Sequence, residues 1–168
     1  MSQENVINFV CGVLRIEEGF SDKPYYCSAG YPTIGHGLKI GPYNAGLDQY
    51  VFRVNKVAAQ ALLEQHVLRI WYSIRSASYM KYADEARQAI FLSMIYQMGH
   101  KGFLKFVNMI AAAENDNWRT VSIEALDSKW AKNDSKQRAN RHAYILSTGC
   151  LDAVYRLRES ENDNEFIR

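Results

Sequence analysis

The sequence of 168 residues is 48% hydrophobic and 23% charged, which is typical of a compact globular chain rather than a disordered or fibrous one. A chain of this length buries roughly two-thirds of its unfolded surface, so we expect it to fold without disulfides or a structural metal. Its formal net charge of +2 is too small to indicate a nucleic-acid-binding protein, which needs a concentrated basic face.

The cysteines and histidines form no recognisable binding pattern. The cysteines Cys11, Cys27 and Cys150 are odd in number and lack CxxC spacing, so we expect free thiols rather than a disulfide framework or a zinc knuckle. The histidines are scattered, and no carboxylate–histidine motif joins them. We therefore predict no metal site and no cofactor.

The N-terminus lacks the basic segment and apolar block of a signal peptide, because Asn8, Gly12 and Arg15 interrupt its apolar residues. The longest apolar stretch, AIFLSMIYQM, is too short to span a bilayer. We expect a soluble, monomeric chain that has no stable membrane association and is made in the cytosol.

The first predicted element is a helix. Apolar residues recur at helical spacing from Val6 through Val13 to Ile16, and Gly19 supplies a C-terminal stop signal. The pattern therefore predicts a helix that ends at Glu18.

The next segment has a different pattern. Between Lys23 and Gly46, turn residues recur every few positions, as in YPTIG and HGLKIGPYNAG, which is typical of short hairpins. From Asn55, which fits an N-cap, the stretch NKVAAQALLEQHVLRIWYSIRS predicts one helix of about six turns.

The rest of the sequence predicts a helical region. Asp84 and Gly99 fit the N-cap and the stop of an apolar helix. Three further segments have helical periodicity, with Asn117 as a cap and Gly149 as a terminator: FLKFVNMIAAA, NWRTVSIEALDSKWA and KQRANRHAYILSTG. The polar tail from Glu159 has the composition of a disordered segment.

These elements predict an α+β fold for a single domain that spans the whole chain. A small β-hairpin lobe occupies about residues 20–55, and a long helix over residues 55–79 connects it to a helical C-terminal bundle. The helical lobe comprises residues 1–19 and 80–158, and residues 159–168 form the polar tail.

One spacing directs the functional prediction. Eight residues separate Glu18 from Cys27, and five separate Cys27 from Thr33, which IGHG follows. The motifs LRIEEG, YPTIGHG, IYQMGHKGF, DSKW and RANRHAYILSTG extend this pattern over nearly the whole chain. The sequence thus resembles the T-even-type bacteriophage lysozymes, glycoside hydrolase family 24, and the resemblance implies a lysozyme-like fold.

The resemblance implies catalytic roles for Glu18, Cys27 and Thr33. Glu18, at a helix end where the helix dipole disfavours further negative charge, would protonate the oxygen between N-acetylmuramic acid and N-acetylglucosamine. Thr33 and Cys27 would hold the attacking water on the opposite face of the sugar, as in inverting glycosidases. Cys27 departs from the family pattern, because a thiol replaces the usual aspartate and supplies no fixed negative charge.

The resemblance also implies substrate-side residues. We expect Lys39, Tyr96, Gln97 and Arg138 to serve the sugar cleft, and either Arg138 or Arg141 to meet Glu18 across it. An extra residue after Trp130, relative to the family pattern, leaves this choice between the two arginines open.

Two other functions fit parts of the sequence. In a cysteine-dependent peptidoglycan amidase or peptidase, Cys27 would be the nucleophile and His36 its base, although no residue that would orient His36 is evident. In an inactive homologue, the chain would bind peptidoglycan after losing hydrolysis with the aspartate.

The resemblance implies an endolysin that binds peptidoglycan glycan strands and lyses the host at the end of infection. It would accumulate in the host cytoplasm and reach the periplasm after a separate holin-type protein permeabilises the inner membrane.

Overall fold

The computed structural model describes residues 2–156. The polar tail predicted from Glu159 lies outside these residues. The first helix, α1, runs from Gln3 to Glu18, and Gly19 ends it with a φ of 66°. The predicted helix end is thus confirmed, and it leaves Glu18 as the last helical residue.

A small antiparallel sheet follows α1. Its strands are β1 (Ser21–Tyr26), β2 (Pro32–Gly35) and β3 (Leu38–Lys39), and β2 lies in the middle. The β1–β2 pairing shifts register between Ser21 and Tyr25, which marks a bulge on β1. Together with the helices, the sheet is consistent with the predicted α+β class.

Helix α2 runs from Lys56 to Ile74. Asn55 caps it as predicted, because its side chain accepts a hydrogen bond of 2.8 Å from the Ala58 amide. The helix is shorter at its C-terminal end than the sequence pattern indicates, since residues 75 and 76 lie beyond it.

Helix α3 runs from Glu85 to Phe103 and forms the centre of the core. The Asp84 side chain accepts a hydrogen bond of 2.8 Å from the Arg87 amide, which confirms the predicted cap. Gly99 interrupts the helix with a φ of 75° and a ψ of 159°, but helical hydrogen bonding resumes after it. The predicted stop at Gly99 is therefore a kink.

The remaining elements are helical, as predicted. They are α4 (Val107–Glu114), α5 (Trp118–Leu126), a π-helical turn (Trp130–Asp134), α6 (Lys136–Thr148) and α7 (Asp152–Tyr155). Asn117 caps α5 through a 3.1 Å hydrogen bond from the Thr120 amide, and Gly149 ends α6 in a left-handed conformation. Helix α4 begins later than expected, because residues 104–106 form the turn that follows α3.

The core lies where α1 and α3 pack together, among side chains such as Val10, Leu14, Phe91 and Leu92 that are fully buried. No helix within residues 2–156 is both long enough and apolar enough to cross a bilayer.

Candidate active site

Glu18 projects from the last turn of α1 and is paired with Arg138 of α6. The Arg138 Nη1 donates a hydrogen bond of 2.6 Å to Glu18 Oε1. The Glu18 side chain is 21% exposed, whereas that of Arg138 is 7% exposed. The carboxylate is therefore held by a buried guanidinium but still reaches solvent.

Arg138 is itself fixed by α3. Its Nη2 donates hydrogen bonds to the Ser93 carbonyl oxygen at 3.2 Å and to the Ser93 Oγ at 3.0 Å. A planar guanidinium bound at two nitrogens has little freedom to rotate. The site thus joins α1, α3 and α6 at one carboxylate.

A turn of the sheet passes directly over Glu18. At Gly37, where φ is 76°, a Cβ atom added to the backbone would lie 2.9 Å from Glu18 Oε2. Both the backbone conformation and this close approach favour glycine. Gly37 therefore leaves the room that the Glu18 carboxylate occupies beside the sheet.

The predicted water-holding residues lie on the sheet side of the site. Thr33 lies in β2 opposite Lys39 of β3. Cys27 follows β1 in a tight turn, where its amide donates to the Tyr31 carbonyl oxygen at 3.0 Å and its own carbonyl oxygen accepts from the Gly30 amide at 2.8 Å. The motif residues are therefore positioned by hairpin hydrogen bonds.

The Cys27 thiol has an environment that favours its ionised form. Burial acts to raise its pKa, but hydrogen bonding to the Tyr31 backbone, the Thr33 side chain and the Ala29 backbone, with the charge of Lys39, lowers the pKa below the ordinary value of 9.0. Negative charge on Cys27 is easier to form than in a free cysteine.

Thr33 is almost completely buried, and its hydroxyl donates a hydrogen bond of 2.9 Å to the Tyr31 carbonyl oxygen. The hydroxyl has one proton, which either this carbonyl oxygen or the Cys27 sulfur accepts, and its oxygen lone pairs remain available as acceptors. Lys39 places its Nζ 4.3 Å from the centroid of the Tyr31 ring. The turn residue Tyr31 therefore contacts both Thr33 and Lys39.

The phage lysozyme family model matches residues 15–142, a range that includes Glu18, Cys27, Thr33 and Arg138. The chain belongs to the phage lysozyme family. This membership supports a lysozyme-type glycoside hydrolase.

The chain is similar to several curated proteins, among them one from Enterobacteria phage T4 and one from Dictyostelium discoideum. The "Pre-baseplate central spike protein Gp5" of Enterobacteria phage T4 is 29% identical over 161 residues, which cover 84% of this chain and 28% of the spike protein. The "Probable T4-type lysozyme 1" of Dictyostelium discoideum is 25% identical over 169 residues, which cover 88% of this chain and 99% of that protein. The chain thus spans a minor part of the first relative and nearly all of the second.

Tyr96 and Gln97, predicted to line the sugar cleft of this lysozyme-family chain, make internal hydrogen bonds. The Tyr96 hydroxyl donates to the His36 carbonyl oxygen at 2.6 Å. The Gln97 amide nitrogen donates to Ser135 Oγ at 2.7 Å, and its oxygen accepts from the Trp130 Nε1 at 3.0 Å. Both side chains therefore hold neighbouring segments together, and their predicted contact with substrate stays a prediction.

The π-helical turn begins at Trp130, the residue after which the resemblance predicts one extra residue. The Ser135 amide donates a 2.8 Å hydrogen bond to the Trp130 carbonyl oxygen, the i to i+5 bond of a π-helix. A wider turn takes in one more residue than an α-helical turn. Helix α6 begins directly after this turn, at Lys136, and Arg138 in its first turn meets Glu18.

Arg141, the alternative partner, binds the neighbouring carboxylate. Its Nε and Nη2 donate hydrogen bonds of 2.8 Å and 2.7 Å to the two oxygens of Glu17. The Tyr155 hydroxyl also donates to Glu17. The structure therefore assigns Arg138 to Glu18 and Arg141 to Glu17.

His36, the base in the alternative amidase hypothesis, contacts the backbone at the end of α1. Its Nδ1 lies 2.5 Å from the Gly19 carbonyl oxygen, and its ring packs against Phe20. Burial lowers its pKa, although the Gly19 contact opposes this shift. His36 thus ties the β2–β3 turn to the end of α1.

Glu17, Tyr155 and Tyr25 are neighbours of the site that the sequence did not predict. A signal for Glu17 existed, because two adjacent glutamates precede Gly19 and two arginines three residues apart lie on one face of α6. No local pattern pointed to Tyr155 or Tyr25. Within residues 2–156, no three His, Cys, Asp or Glu side chains are placed to hold a metal ion.

Proposed function

We propose that this chain is a muramidase that hydrolyses the β-1,4 bond between N-acetylmuramic acid and N-acetylglucosamine in peptidoglycan. The observation that carries the proposal is the placement of Glu18, whose partly exposed carboxylate is held by Arg138 at 2.6 Å. Family membership supports the lysozyme-type activity, and the geometry supports the assignment of Glu18 as its acid.

In this proposal Glu18 gives a proton to the glycosidic oxygen. Arg138 orients the carboxyl group, and because the guanidinium is bound to Ser93, it does so without moving. The positive charge of Arg138 also stabilises the carboxylate that remains after proton transfer.

Water attacks from the sheet side of the sugar. The Thr33 hydroxyl oxygen accepts a hydrogen bond from this water, and Cys27 accepts another, in its thiol or thiolate form. The hydrogen bonds and the Lys39 charge that lower the pKa of Cys27 favour the thiolate, which is the form that would act as a general base. Attack from the side opposite Glu18 inverts the anomeric carbon.

The test compares lysis of outer-membrane-permeabilised Gram-negative cells by the wild type, Glu18→Gln and the matched control Glu4→Gln, which lies at the exposed start of α1. We expect Glu18→Gln to reduce the rate of turbidity loss by at least about 100-fold, since general acid catalysis contributes on the order of 10²–10⁴. Glu4→Gln keeps the wild-type rate. Circular dichroism checks that all three proteins are folded.

The products separate the alternatives. A muramidase releases new reducing sugar ends, whereas an amidase or peptidase releases new amino groups. Substantial lysis by Glu18→Gln contradicts the assignment of the acid. A folded wild type that binds peptidoglycan but releases neither product is the inactive homologue.

The biological setting follows from the same proposal. The enzyme accumulates in the host cytoplasm as a monomer, and a separate holin-type protein gives it access to the periplasm at the end of infection. Its partner there is the glycan strand, and no cofactor takes part.

A further inference from the structure

The sheet carries a row of side chains that includes a tyrosine without an assigned role. Tyr25 of β1 lies directly opposite Thr33 of β2, and Thr33 lies directly opposite Lys39 of β3. Residues that face each other across antiparallel strands project their side chains to the same side of the sheet. Tyr25 is therefore on the face that carries Thr33 and Lys39.

The bulge on β1 sets this register. Tyr25 follows Ser21 by four positions, but their partners Thr33 and Gly35 are only two positions apart. The extra residues include Pro24, which has no amide proton for the strand ladder. Bulges re-aim the side chains that follow them, and this one brings Tyr25 opposite Thr33.

Tyr25 also lies near both predicted catalytic groups. Cys27 follows it by two residues, one position beyond the end of β1. Burial, followed by the negative charges of Glu18 and Cys27, raises the pKa of Tyr25. Its phenol therefore stays protonated and is available as a hydrogen-bond donor.

The hydroxyl of Tyr25 has no internal partner. Within the described part of the chain no residue is hydrogen-bonded to it, and the side chain is only half-buried. The other tyrosine of β1 differs, since the Tyr26 hydroxyl donates to the Ala45 carbonyl oxygen at 2.9 Å. The Tyr26 hydroxyl thus stabilises the fold, whereas the adjacent Tyr25 hydroxyl is available to bind a ligand.

We propose that Tyr25 is a substrate-contacting catalytic residue, whose phenol donates a hydrogen bond to the sugar ring that reacts between Glu18 and the water held by Thr33 and Cys27. This inference rests on the proposed muramidase function. The ring that reacts must lie between the acid and the attacking water, and Tyr25 is a free donor beside both. Sugar oxygens are its acceptors.

The experiment measures kcat and KM for release of reducing ends from soluble, purified peptidoglycan glycan strands. It compares Tyr25→Phe with Tyr26→Phe, which removes the same atom from the neighbouring residue. We expect Tyr25→Phe to lower kcat/KM by about tenfold, the effect of one lost hydrogen bond to the transition state. Thermal unfolding of Tyr25→Phe stays as in the wild type, because the missing hydroxyl had no partner within the protein.

A loss of threefold or more for Tyr25→Phe, with an unchanged melting temperature and a Tyr26→Phe rate near the wild type, supports the proposal. A smaller loss overturns it, and so does a loss that accompanies a lower melting temperature or is matched by Tyr26→Phe. Glu18→Gln is assayed alongside: if it is inactive while Tyr25→Phe is normal, the muramidase function stands and only the role of Tyr25 fails.

Discussion

The surroundings of Glu17 and Glu18 differ, although the two glutamates are adjacent at the end of α1. Glu17 faces the helices: its side chain is 5% exposed and accepts hydrogen bonds from Arg141 and Tyr155. Glu18 faces the sheet: it is 21% exposed and is held by Arg138 on one oxygen, while Gly37 passes close to the other.

The comparison shows how one residue type serves two purposes. A carboxylate whose two oxygens are saturated by fixed donors joins elements of the fold, here α1, α6 and α7. A carboxylate that is held on one oxygen only and stays partly exposed is able to exchange a proton with a ligand. The difference lies in the partners and not in the residue, since both positions lie in the last turn of the same helix.

The largest expected effect is a loss of activity when Arg138 is replaced, and replacement of Arg141 supplies the comparison. Arg138→Met should lower kcat/KM for glycan hydrolysis by about 100-fold or more, because Glu18 loses the group that orients it. Arg141→Met should change kcat/KM by less than about threefold, since its partner Glu17 is buried against the helices. Rates for both folded variants on soluble glycan strands check this contrast, and equal losses would contradict it.

An intermediate effect is expected on stability. Although burial acts to raise the pKa of Glu17, hydrogen bonds from Arg141 and Tyr155 and the charges of Arg138 and Arg141 lower it below the ordinary value of 4.5. A carboxylate whose pKa is depressed on folding stabilises the protein above its unfolded pKa. Glu17→Gln should therefore reduce the free energy of unfolding at pH 7 by about 1–2 kcal/mol.

The pH dependence gives the control for Glu17. The stabilisation is lost as pH falls from about 4.5 through the lower pKa of the folded state, so wild type and Glu17→Gln should converge in acid. Urea unfolding at pH 7 and at several acidic pH values measures the difference, while lysis at pH 7 stays near the wild-type rate. A difference that stays constant with pH would show that the charge of Glu17 is not the cause.

The smallest expected effect is on the sheet side, at Cys27. Because its pKa lies below 9.0, its alkylation by iodoacetamide should reach half its maximal rate below pH 9.0. Lys39→Gln should raise that midpoint and slow the reaction at neutral pH by about two- to fivefold, the size of an exposed charge interaction. The assay uses a Cys150→Ser background, because Cys150 is exposed.

Cys11 and the Cys27→Ser variant supply the controls for this reaction. Cys11 is buried, and burial with the nearby charge of Glu64 raises its pKa to about 12, so it should not react on the same timescale. Alkylation should stop lysis by the Cys150→Ser protein, whereas the lysis that remains in the same protein carrying Cys27→Ser should not fall further on alkylation. Loss of lysis without modification of Cys27 would place the sensitive group elsewhere.

The local features of the helices were predictable from the sequence. The end of α1 at Glu18 and the caps at Asn55, Asp84 and Asn117 each depend on hydrogen bonds or dihedral angles within about four residues. The spacing from Glu18 through Cys27 to Thr33 is likewise local and carries the family resemblance. The glycine in IYQMG predicts a helix stop, but Gly99 is a kink within α3. The sequence alone does not show whether a helix continues beyond such a glycine.

Only the tertiary structure decided which groups meet. Arg138 and Glu18 are 120 residues apart, and they meet because α6, which follows the π-helical turn, packs against α3 and the end of α1. Tyr25 faces Thr33 because of a bulge that changes strand register. The physical reason is the separation along the chain of the groups that interact. Caps and turns are fixed by nearby backbone groups, whereas the partners of a side chain in the site are fixed by how whole elements pack.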